Sequence, residues 1–568
     1  IRRPPRSTLP YTTLFRSTRV LYDYKNWAPI IDVIAIDAYK QNNINNYTDQ
    51  ELWTLAGFGK RTKLLQLRTG IIATRLTGTF ADLRKGLAIF FHNFFEKNYF
   101  IVSFAEQTRI FEYGLKGGID FDDVEDDQLL EIEEFPLRLD ASTILFVQMD
   151  QIYMQIVETG ILILNMKDEP IVAEFPDRRI TIASRLGKLI LLVSEDLENN
   201  VNVEVLKIDT GKIDFVRDLN ISDFAHVVYQ ASLDFQVCMA TLVCIENKNC
   251  CAVGYYNGEL ILIPLLDPSS ARTIQLSKLH SHLDEELLGH FFAPHSILYF
   301  NELRKLIVGT KDGFLIEFSL ENELNFYCDK FLKISDTAVS LQHIVKDPKN
   351  TNHDVTQSYI ILSRNLWLSN FADGGFPQKV FFNEISEKAS FAGIQIASDE
   401  HPRSFAFIRE DGFSISTLTS TPTTSTKLVS LREPASKILY IDYLNTFMVL
   451  LKSEDAKSKF RFIDRKTLKQ YDQVENSRNK WLLADSSIIE EDEVPLCTSI
   501  WSVKRHNSLI SKKILVGFLK SQTKGSIKIL DISLTSGEDG NNKIAVRELN
   551  SFECKEPVSC IVQINSCI

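Results

Sequence analysis

The chain has 568 residues, enough for roughly three to four domains, and its 44% of hydrophobic residues is ample for packed cores. A formal net charge of −11 argues against a general binder of nucleic-acid backbone, which needs a basic face, but leaves room for a local basic patch. No apolar run approaches the roughly 20 residues that span a bilayer, so we predict a soluble protein without membrane contact.

The cysteines indicate a reducing compartment. There are nine, an odd number, at apolar positions such as Cys238, Cys244 and Cys560. This pattern predicts reduced, buried thiols in a cytosolic or nuclear protein and not a secreted disulfide framework.

Residues 1–17, IRRPPRSTLPYTTLFRS, stand apart from the rest of the chain. They resemble translated sequencing-adapter read-through, with no initiator Met and no apolar core of a signal peptide. We expect them to be non-native, with a basic transit peptide as the alternative. We also expect the chain to be a fragment, because it stops directly after the strand-like SCIVQI.

From residue 18 onward, short β-branched or aromatic runs follow one another, each bounded by Gly, Asn, Asp, Pro or Ser. The main ones are PIIDVIAIDAY, KLLQLRTGI, YFIVSF with QTRIFEY, STILFVQ, YMQIVETGILILN, ITIASRLGKLILLVSE, NVEVLKI, SYIILSRNLWLSNF, KILYIDYLNTFMVLL, KFRFIDR, and KKILVGF with GSIKILDISL. Helical signal is thin, with Leu276–Phe292 and Glu384–Phe391 the better candidates. A period of two residues dominates, so the sequence predicts an all-β fold.

A recurring hairpin indicates the architecture. Its clearest copy is LIVGTKDGFLIEFSL at Leu306–Leu320, where Asp312-Gly313 is a turn signal and Phe314–Leu320 alternates around Glu317. The pattern returns at Ala252–Leu265 and Phe407–Leu418. Turn marks at Gly258, Gly313, Asn365 and Gly412 recur about every 50 residues, a spacing typical of four-stranded propeller blades. Residues 64–431 have room for about seven blades, so we predict a seven-bladed β-propeller that lacks WD40 and kelch signatures.

Seven stretches, in order, carry a family resemblance. They are NWAPIIDVIAID followed by AGFGKRTKLLQLRTGI and IVSFAEQTRIFEY, then SRNLWLSNF, ASDEHPRSFAFIREDGFSISTL, LREPASKILYIDYLNTFMVLL and FIDRKTLKQYDQ. The series resembles the triple-propeller family that includes three large subunits: those of the UV-damaged-DNA-binding complex, of the cleavage and polyadenylation specificity factor, and of the splicing SF3b complex.

The resemblance implies a domain division. Residues 18–63 would end a first propeller, 64–431 would be a complete second one, and 432–568 would begin a third. It also implies a non-enzymatic scaffold in a nuclear complex, with the cytoplasm as a second location. The Asn- and Lys-rich loops favour a yeast-like, fungal source.

Within the family, the first choice is a damaged-DNA-binding-type adaptor of a cullin ubiquitin ligase acting in DNA repair or replication. SFAEQTRIFEY favours it, and so does the short passage from Lys452 to Lys459, where the splicing subunit carries a long acidic insert. Its partners would be a cullin and substrate receptors. GFGKRTKLLQLRTG fits the splicing subunit at least as well, so the alternative is a splicing or polyadenylation scaffold with SF3b or polyadenylation subunits as partners. Nucleic-acid contact would be weak or indirect.

The catalytic and phosphate-binding motifs that the sequence resembles are incomplete or absent. Gly57-x-Gly59-Lys60 resembles part of a phosphate loop, but Thr54 and Arg61 stand where glycine and Ser or Thr are required, which favours a plain turn. No G-x-S-x-G elbow and no H-E-x-x-H is present. A propeller hydrolase or lyase is the distant alternative. We assign no catalytic, cofactor-binding or metal-binding residue.

Three other sets of residues are candidate sites. His280, His282, His290 and His295, with Asp284, Glu285 and Glu286, could hold zinc, but a polar inter-blade loop is favoured because the spacing matches no zinc motif. The acidic run Asp120–Glu134 is interpreted as a solvated loop, although Leu129, Leu130 and Ile132 keep a docking role open. Trp53, Trp367 and Trp501 are predicted to be core residues.

Overall fold

The structure is a computed structural model. It describes residues 28–37, 50–94, 97–114, 129–164, 170–213, 221–233, 237–280, 291–322, 324–344, 357–371, 375–382, 388–396, 403–419, 421–452, 458–465, 467–473, 489–490, 493–504, 510–520, 523–536 and 542–563. The helical segments among these are short: the single α-helical turn Ile221–Phe224 and the 3-10 turns Gly59–Arg61, Ala81–Leu83, Thr210–Lys212, Pro268–Ser270, Leu276–His280 and Asp442–Leu444.

The chain begins with three strands and continues into a series of four-stranded sheets. The first three are β1 (Ile30–Asp37), β2 (Gln50–Ala56) and β3 (Lys63–Arg75). Blade 1 contains β4 (Ala88–Phe94), β5 (Lys97–Ser103), β6 (Thr108–Tyr113) and β7 (Leu129–Ile132). Blade 2 contains β8 (Thr143–Met149), β9 (Ile152–Val157), β10 (Gly160–Leu164) and β11 (Ile171–Glu174). Blade 3 contains β12 (Arg178–Leu186), β13 (Leu189–Asp196), β14 (Val201–Ile208) and β15 (Ala225–Leu233).

Blades 4 to 6 repeat the pattern, and blade 7 contributes three strands of its own. Blade 4 contains β16 (Val237–Ile245), β17 (Lys248–Tyr255), β18 (Glu259–Pro264) and β19 (Arg272–Gln275), and blade 5 contains β20 (Pro294–Phe300), β21 (Lys305–Thr310), β22 (Phe314–Asn322) and β23 (Asn325–Lys333). Blade 6 contains β24 (Ser340–His343), β25 (Ser358–Leu362), β26 (Trp367–Asn370) and β27 (Gln378–Phe382). Blade 7 contains β28 (Ser390–Gln395), β29 (Ser404–Arg409) and β30 (Gly412–Leu418). The fourth strand of blade 7 is β3, which pairs antiparallel with β30.

The seven blades close into a ring. Each successive pair of blades shares one apolar cluster, for example Phe94 with Phe146 between blades 1 and 2 and Ile307 with Tyr359 between blades 5 and 6. The five other seams have clusters of the same kind, including one that joins blade 7 to blade 1. The prediction of an all-β, seven-bladed propeller is therefore confirmed.

Burial between neighbouring blades explains why the middle strands are apolar on both faces. In β25 all five residues are buried; Tyr359 and Ile361 face the seam with blade 5, while Ile360 and Leu362 face the seam with blade 7. Strands covered on both sides give continuous apolar runs instead of alternation. The predicted alternation around Glu317 is wrong for this reason: Glu317 is itself buried.

Glu317 is compensated within the blade 5–6 seam. Its carboxylate forms ion pairs with Lys305 and, at 3.2 Å, with Lys330. A buried carboxylate needs such partners because desolvation of the charge is costly. Glu317 is therefore a structural residue of the blade.

A second unit of three sheets flanks the ring. Its strands are β31 (Thr423–Ser430), β32 (Ala435–Ile441), β33 (Thr446–Lys452), β34 (Ser458–Asp464), β35 (Asp472–Gln473), β36 (Glu493–Lys504), β37 (Ile510–Lys520), β38 (Gly525–Ser536) and β39 (Asn542–Cys554). We call this unit the flanking stack: β1, β2, the first half of β3 and β31 form its first sheet, β32–β34 its second and β35–β39 its third. Apolar clusters join the first sheet to the second and the second to the third.

Residues far apart in sequence meet in the flanking stack. Trp53 of β2 packs within the cluster shared with β33, and its indole donates a 2.8 Å hydrogen bond to Glu51. The same carboxylate accepts two hydrogen bonds from the guanidinium of Arg465, at 2.9 and 2.6 Å. Within the described residues, 30–70 and 432–465 thus share one core. The predicted division at 63/64 and 431/432 into parts of three propellers stays a prediction.

Strand β3 joins the ring to the flanking stack. Its first part, Lys63–Gly70, pairs antiparallel with β31, and its last part pairs with β30 and, in parallel, with β27. At the changeover, a Cβ on Gly70 would lie 2.2 Å from the carbonyl oxygen of Lys379, so the backbones approach as closely as only glycine permits.

The predicted turn glycines hold neighbouring blades together. Gly258, Gly313 and Gly412 all have positive φ, of 83°, 87° and 134°. A Cβ on Gly313 would lie 2.0 Å from the carbonyl oxygen of Ser335, which leads into blade 6, and the same relation holds for Gly258 with Phe291 and for Gly412 with Phe80. These turns therefore support the next blade as well as reversing their own chain.

Other local predictions have mixed outcomes. The Gly57–Lys60 segment is a turn, as predicted, with positive φ at Gly57 and Gly59. Of the two helix candidates, Leu276–His280 is a 3-10 turn, and Phe391 lies in strand β28; the rest of Leu276–Phe292 up to residue 290, and residues 384–387, lie outside the described residues. In the described part of the chain, no helix is long and apolar enough to cross a membrane.

Replacing Gly313 with alanine should destabilise the ring more than replacing Gly187. Both glycines have positive φ, but a Cβ on Gly187 would meet nothing within 4 Å. Gly187→Ala should cost about 1 kcal/mol through backbone strain alone, and Gly313→Ala about 2 kcal/mol more, because the Ser335 carbonyl must also move. Chemical denaturation of both variants measures the difference. Equal costs would show that the contact relaxes freely.

His92 should make the fold sensitive to mild acid. It lies in β4 against the edge of the Phe146 ring, with centroids 5.0 Å apart. Burial lowers the pKa of His92 from 6.5 to about 4; the Phe146 backbone hydrogen bond opposes this, and the charge of Arg185 adds to it. Because the unfolded chain takes up a proton near 6.5 and the folded one does not, stability falls as the pH drops from 6.5 towards 4.

The expected loss from this group is about 2 kcal/mol between about pH 7.5 and about pH 5. His92→Gln should remove that part of the pH dependence while leaving the contribution of the carboxylates in place. Denaturation curves at the two pH values, for both proteins, measure it. An unchanged pH dependence in the variant would contradict a half-buried, neutral imidazole in the folded protein.

Candidate functional site

The two faces of the ring carry different loops. Turns between the second and third strands of each blade lie on the same face as the connections between blades, as the contacts of Gly258, Gly313 and Gly412 show. We call this the hairpin face. The opposite face carries the other turns, including the loop after β18, where Leu266 is 93% exposed.

An apolar corner projects from the hairpin face at the seam of blades 4 and 5. Phe291 is 70% exposed and Tyr256 is 49% exposed, while the backbone beneath Phe291 is in close contact with Gly258. Lys311 lies over the Tyr256 ring, its Nζ 4.2 Å from the centroid, and donates a 2.7 Å hydrogen bond to the Tyr256 hydroxyl. Exposed aromatic rings on a rigid base are the type of residue that anchors protein interfaces.

A basic pocket opens where blades 6 and 7 meet the flanking stack. Its volume is about 380 Å³, including the open mouth. Six cationic side chains line it, and none of its described lining residues is acidic: Arg68, Arg364, Lys379, Lys388, Arg409 and Lys427. Because these residues come from six separate segments of the chain, the pocket is a product of the fold.

The cations differ in depth. Arg409 and Lys379 are buried, with 1% and 5% exposure, whereas the side chains of Arg364 and Lys388 at the mouth are 37% and 30% exposed. Aromatic rings form part of the wall: the guanidinium of Arg409 lies 3.9 Å from the centroid of Phe382, and that of Arg68 lies 4.9 Å from Phe381. Cation–π contacts help to hold the charged groups in place.

Two carboxylates contact the rim. Asp411 forms ion pairs with Arg75 at 2.9 Å and Lys388 at 2.8 Å, and Asp336 pairs with Arg364. Burial alone would raise the pKa of Asp411, but the Lys388 hydrogen bond and the charge of Arg409 outweigh it and lower that pKa below its ordinary value. The surrounding positive charge therefore stabilises the ionised form of Asp411.

A second, wider cleft between blades 2 and 3 has a mixed lining. Its volume is about 1150 Å³, including the open mouth, and both signs of charge line it. Arg178 pairs with Glu204 at 2.7 Å and Arg138 with Asp140 at 3.4 Å, so its cations have carboxylate partners. It offers no single charge sign to a ligand.

The sequence-predicted candidates are not brought together as a site. His295 is in β20, where burial and then the nearby charge of Lys311 lower its pKa, while 281–290 and the side chain of His280 lie outside the described residues. No group of metal-binding side chains occurs among the residues with a described position. Most of the acidic run, 120–128, also lies outside them; in its described end Leu129 and Ile132 pack on blade clusters and Leu130 is 66% exposed.

Two expectations about individual residues need correction. Trp53 and Trp367 are buried as predicted, but Trp501 is 37% exposed on the last sheet of the flanking stack. Cys560 is exposed and follows the last described strand, and Cys238 and Cys244 are only partly buried. Burial raises the pKa of Cys250 to about 11 and of Cys251 to about 12, so these two thiols stay protonated and unreactive.

No family model and no curated protein matches the chain. Among solved structures, it is similar to BBS1N in the crystal structure of BBS1N in complex with ARL6DN, soaked with mercury, at 12% sequence identity and a TM-score of 0.41. The match covers 62% of this chain and 98% of that chain. At this TM-score the likeness carries no argument about function, and the propeller assignment rests on the closed ring of seven sheets.

Proposed function

We propose that the protein is a non-enzymatic scaffold in a nuclear multi-subunit complex, with the cytoplasm as a second location. The observation that carries this proposal is the apolar corner of Phe291 and Tyr256, held on a ring whose turns contact the next blade. A closed ring fixes such groups in space without an ordering cost on binding, which favours stable assembly with other subunits.

Within the triple-propeller family, our first choice is a damaged-DNA-binding-type adaptor of a cullin ubiquitin ligase in DNA repair or replication. The favoured motif SFAEQTRIFEY spans the end of β5, the hairpin and β6 of blade 1, where Thr108 donates a 2.7 Å hydrogen bond to the Ala141 carbonyl. The passage from β33 to β34 is a hairpin with Lys452 paired to Ser458, too short for the acidic insert of the splicing subunit.

The second candidate is a splicing or polyadenylation scaffold. It is supported by GFGKRTKLLQLRTG, whose KLLQLRTG part forms the strand that joins ring and flanking stack. Because that segment has a structural role that sister proteins would share, it supports the family more strongly than either member. Nucleic-acid contact in both cases would be weak or made through partner subunits.

Affinity purification of the tagged chain from yeast nuclear extract separates these candidates. Recovery of a cullin with substrate receptors supports the adaptor, whereas SF3b or polyadenylation subunits without a cullin would refute our first choice. Recovery of a monomeric chain with hydrolase or lyase activity would refute the scaffold itself.

Phe291→Asp should reduce partner recovery at least about tenfold, because a charge in an apolar anchor position removes a hot spot. Leu266→Asp is the matched control, since it places the same charge on an exposed apolar site of the opposite face. Quantitative mass spectrometry of the purified complexes gives the readout, and melting temperatures verify that both variants fold. Equal recovery from the two variants would contradict binding through the hairpin face.

A further inference from the structure

We infer that the outer edge of β15 in blade 3 binds an extended segment of a partner protein by β-strand addition. The segment pairs through its backbone as a fifth strand of the blade, and the side chains that it turns towards β15 are uncharged. The apolar corner of the hairpin face belongs to blades 4 and 5, so this is a different surface. The inference goes beyond the proposed scaffold role and does not rest on it.

The outer edge of β15 has no strand beside it in the described part of the chain. The strand runs from Ala225 to Leu233, and among the described strands it pairs with β14 alone. An edge strand directs a row of backbone N–H and C=O groups away from its sheet. Another extended backbone offers acceptors and donors in the matching order, so these groups specify a strand as the ligand.

The outer strands of the other blades are protected where β15 is not. Three of them, β7, β11 and β19, have only four residues and carry one charged residue each: Glu131, Glu174 and Arg272. Strand β23 has nine residues, like β15, but it contains two lysines and an aspartate. Strand β27 is covered by its parallel pairing with β3. Short length, charged side chains and a covering strand all keep an edge from pairing with other chains.

The sequence of β15 has none of these three features. Its nine residues, AHVVYQASL, include no Lys, Arg, Asp, Glu or Pro. Val227 and Val228 are 56% and 40% exposed, and β-branched residues favour strand pairing. The register with β14 shifts once, at Val228, and then runs regularly from Tyr229 to Leu233. We therefore place the bound segment along residues 229–233, with the two valines in contact with its end.

The charges beside this regular part determine the chemistry of the partner. Glu204 lies opposite Gln230 on β14, pairs with Arg178 at 2.7 Å and accepts a hydrogen bond from Gln230 at 3.2 Å. The charge of Glu204 is thus already compensated, and residues 229–233 bring no charge of their own. A charged side chain turned towards this edge would lose water without gaining a counter-charge. The matching segment therefore has uncharged, β-branched residues.

A second copy of this chain is a poorer match than a short segment. A strand of nine residues is about 30 Å long, and one strand spacing adds about 5 Å of width. Such a strip is far smaller than the roughly 800 Å² that each partner buries in a stable complex of folded proteins. Two copies would each bring a net charge of −11, and like net charges oppose association. An extended segment needs no contact surface beyond the paired strand.

A synthetic peptide tests the inference on the whole chain. The probe is a capped, fluorescently labelled seven-residue peptide of alternating threonine and valine. Fluorescence anisotropy should show saturable binding of one peptide per chain, and hydrogen–deuterium exchange should slow in residues 225–233 but not in β23. The matched probe has the same side chains with every backbone nitrogen methylated. It should bind at least about tenfold more weakly, because it has no N–H groups to donate.

Val227→Lys should weaken peptide binding at least about fivefold, because lysine on an edge strand opposes the addition of another strand. Val172→Lys is the matched control. Val172 is 49% exposed in β11, the outer strand of blade 2, so the substitution and the change in net charge are the same. This control should leave binding unchanged. Both valines are about half exposed, so both variants should fold, which their melting temperatures will verify.

Each contrary outcome overturns the inference. Absence of saturable binding by the unmethylated peptide would mean that the edge accepts no strand. Equal binding of the methylated peptide, or equal weakening by the two variants, would mean that the contact is not backbone pairing at β15. A concentration-dependent dimer in sedimentation that Val227→Lys abolishes would identify a second copy as the occupant. These results are separate from the purification experiments, which test the hairpin face.

Discussion

The double pairing of β3 is the constraint on which the architecture depends. One strand of 13 residues supplies the last strand of blade 7 and the central strand of the first flanking sheet. A strand edge left open in either unit would expose unpaired backbone groups, whereas β3 provides hydrogen-bond partners for the edge strands of both units. Because one continuous strand pairs with β30 in the ring and with β31 in the flanking sheet, loss of either unit would leave half of β3 unpaired.

The fold class could be predicted from sequence because its signals are local. Asp312-Gly313 and the similar turns at Gly258 and Gly412 can each be recognised from a few residues, and the spacing of these turns indicates the number of blades. The close contacts of these glycines with the next blade could not be predicted from the sequence, since Ser335, Phe291 and Phe80 come from other segments of the chain. The same holds for Glu317: a lone acid in an apolar run looks like an exposed position until its lysine partners from the adjacent strands are placed beside it.

The candidate site could not be predicted, for a related reason. The pocket's cations run from Arg68 to Lys427, and each is an ordinary residue in its own segment. A motif search detects functional residues that lie close together in one segment, whereas these cations meet only where blade 6, blade 7 and the first flanking sheet come together. The hydrogen bonds between Glu51 and Arg465 likewise join distant segments of the chain, which no local motif indicates.

The position of the basic pocket shows how closely the two units are joined. Arg68 belongs to β3 and Lys427 to β31, while Arg364, Lys379 and Arg409 belong to blades 6 and 7. The charged lining therefore exists only where the ring and the flanking stack meet, so a change that separated the two units would also disperse these cations.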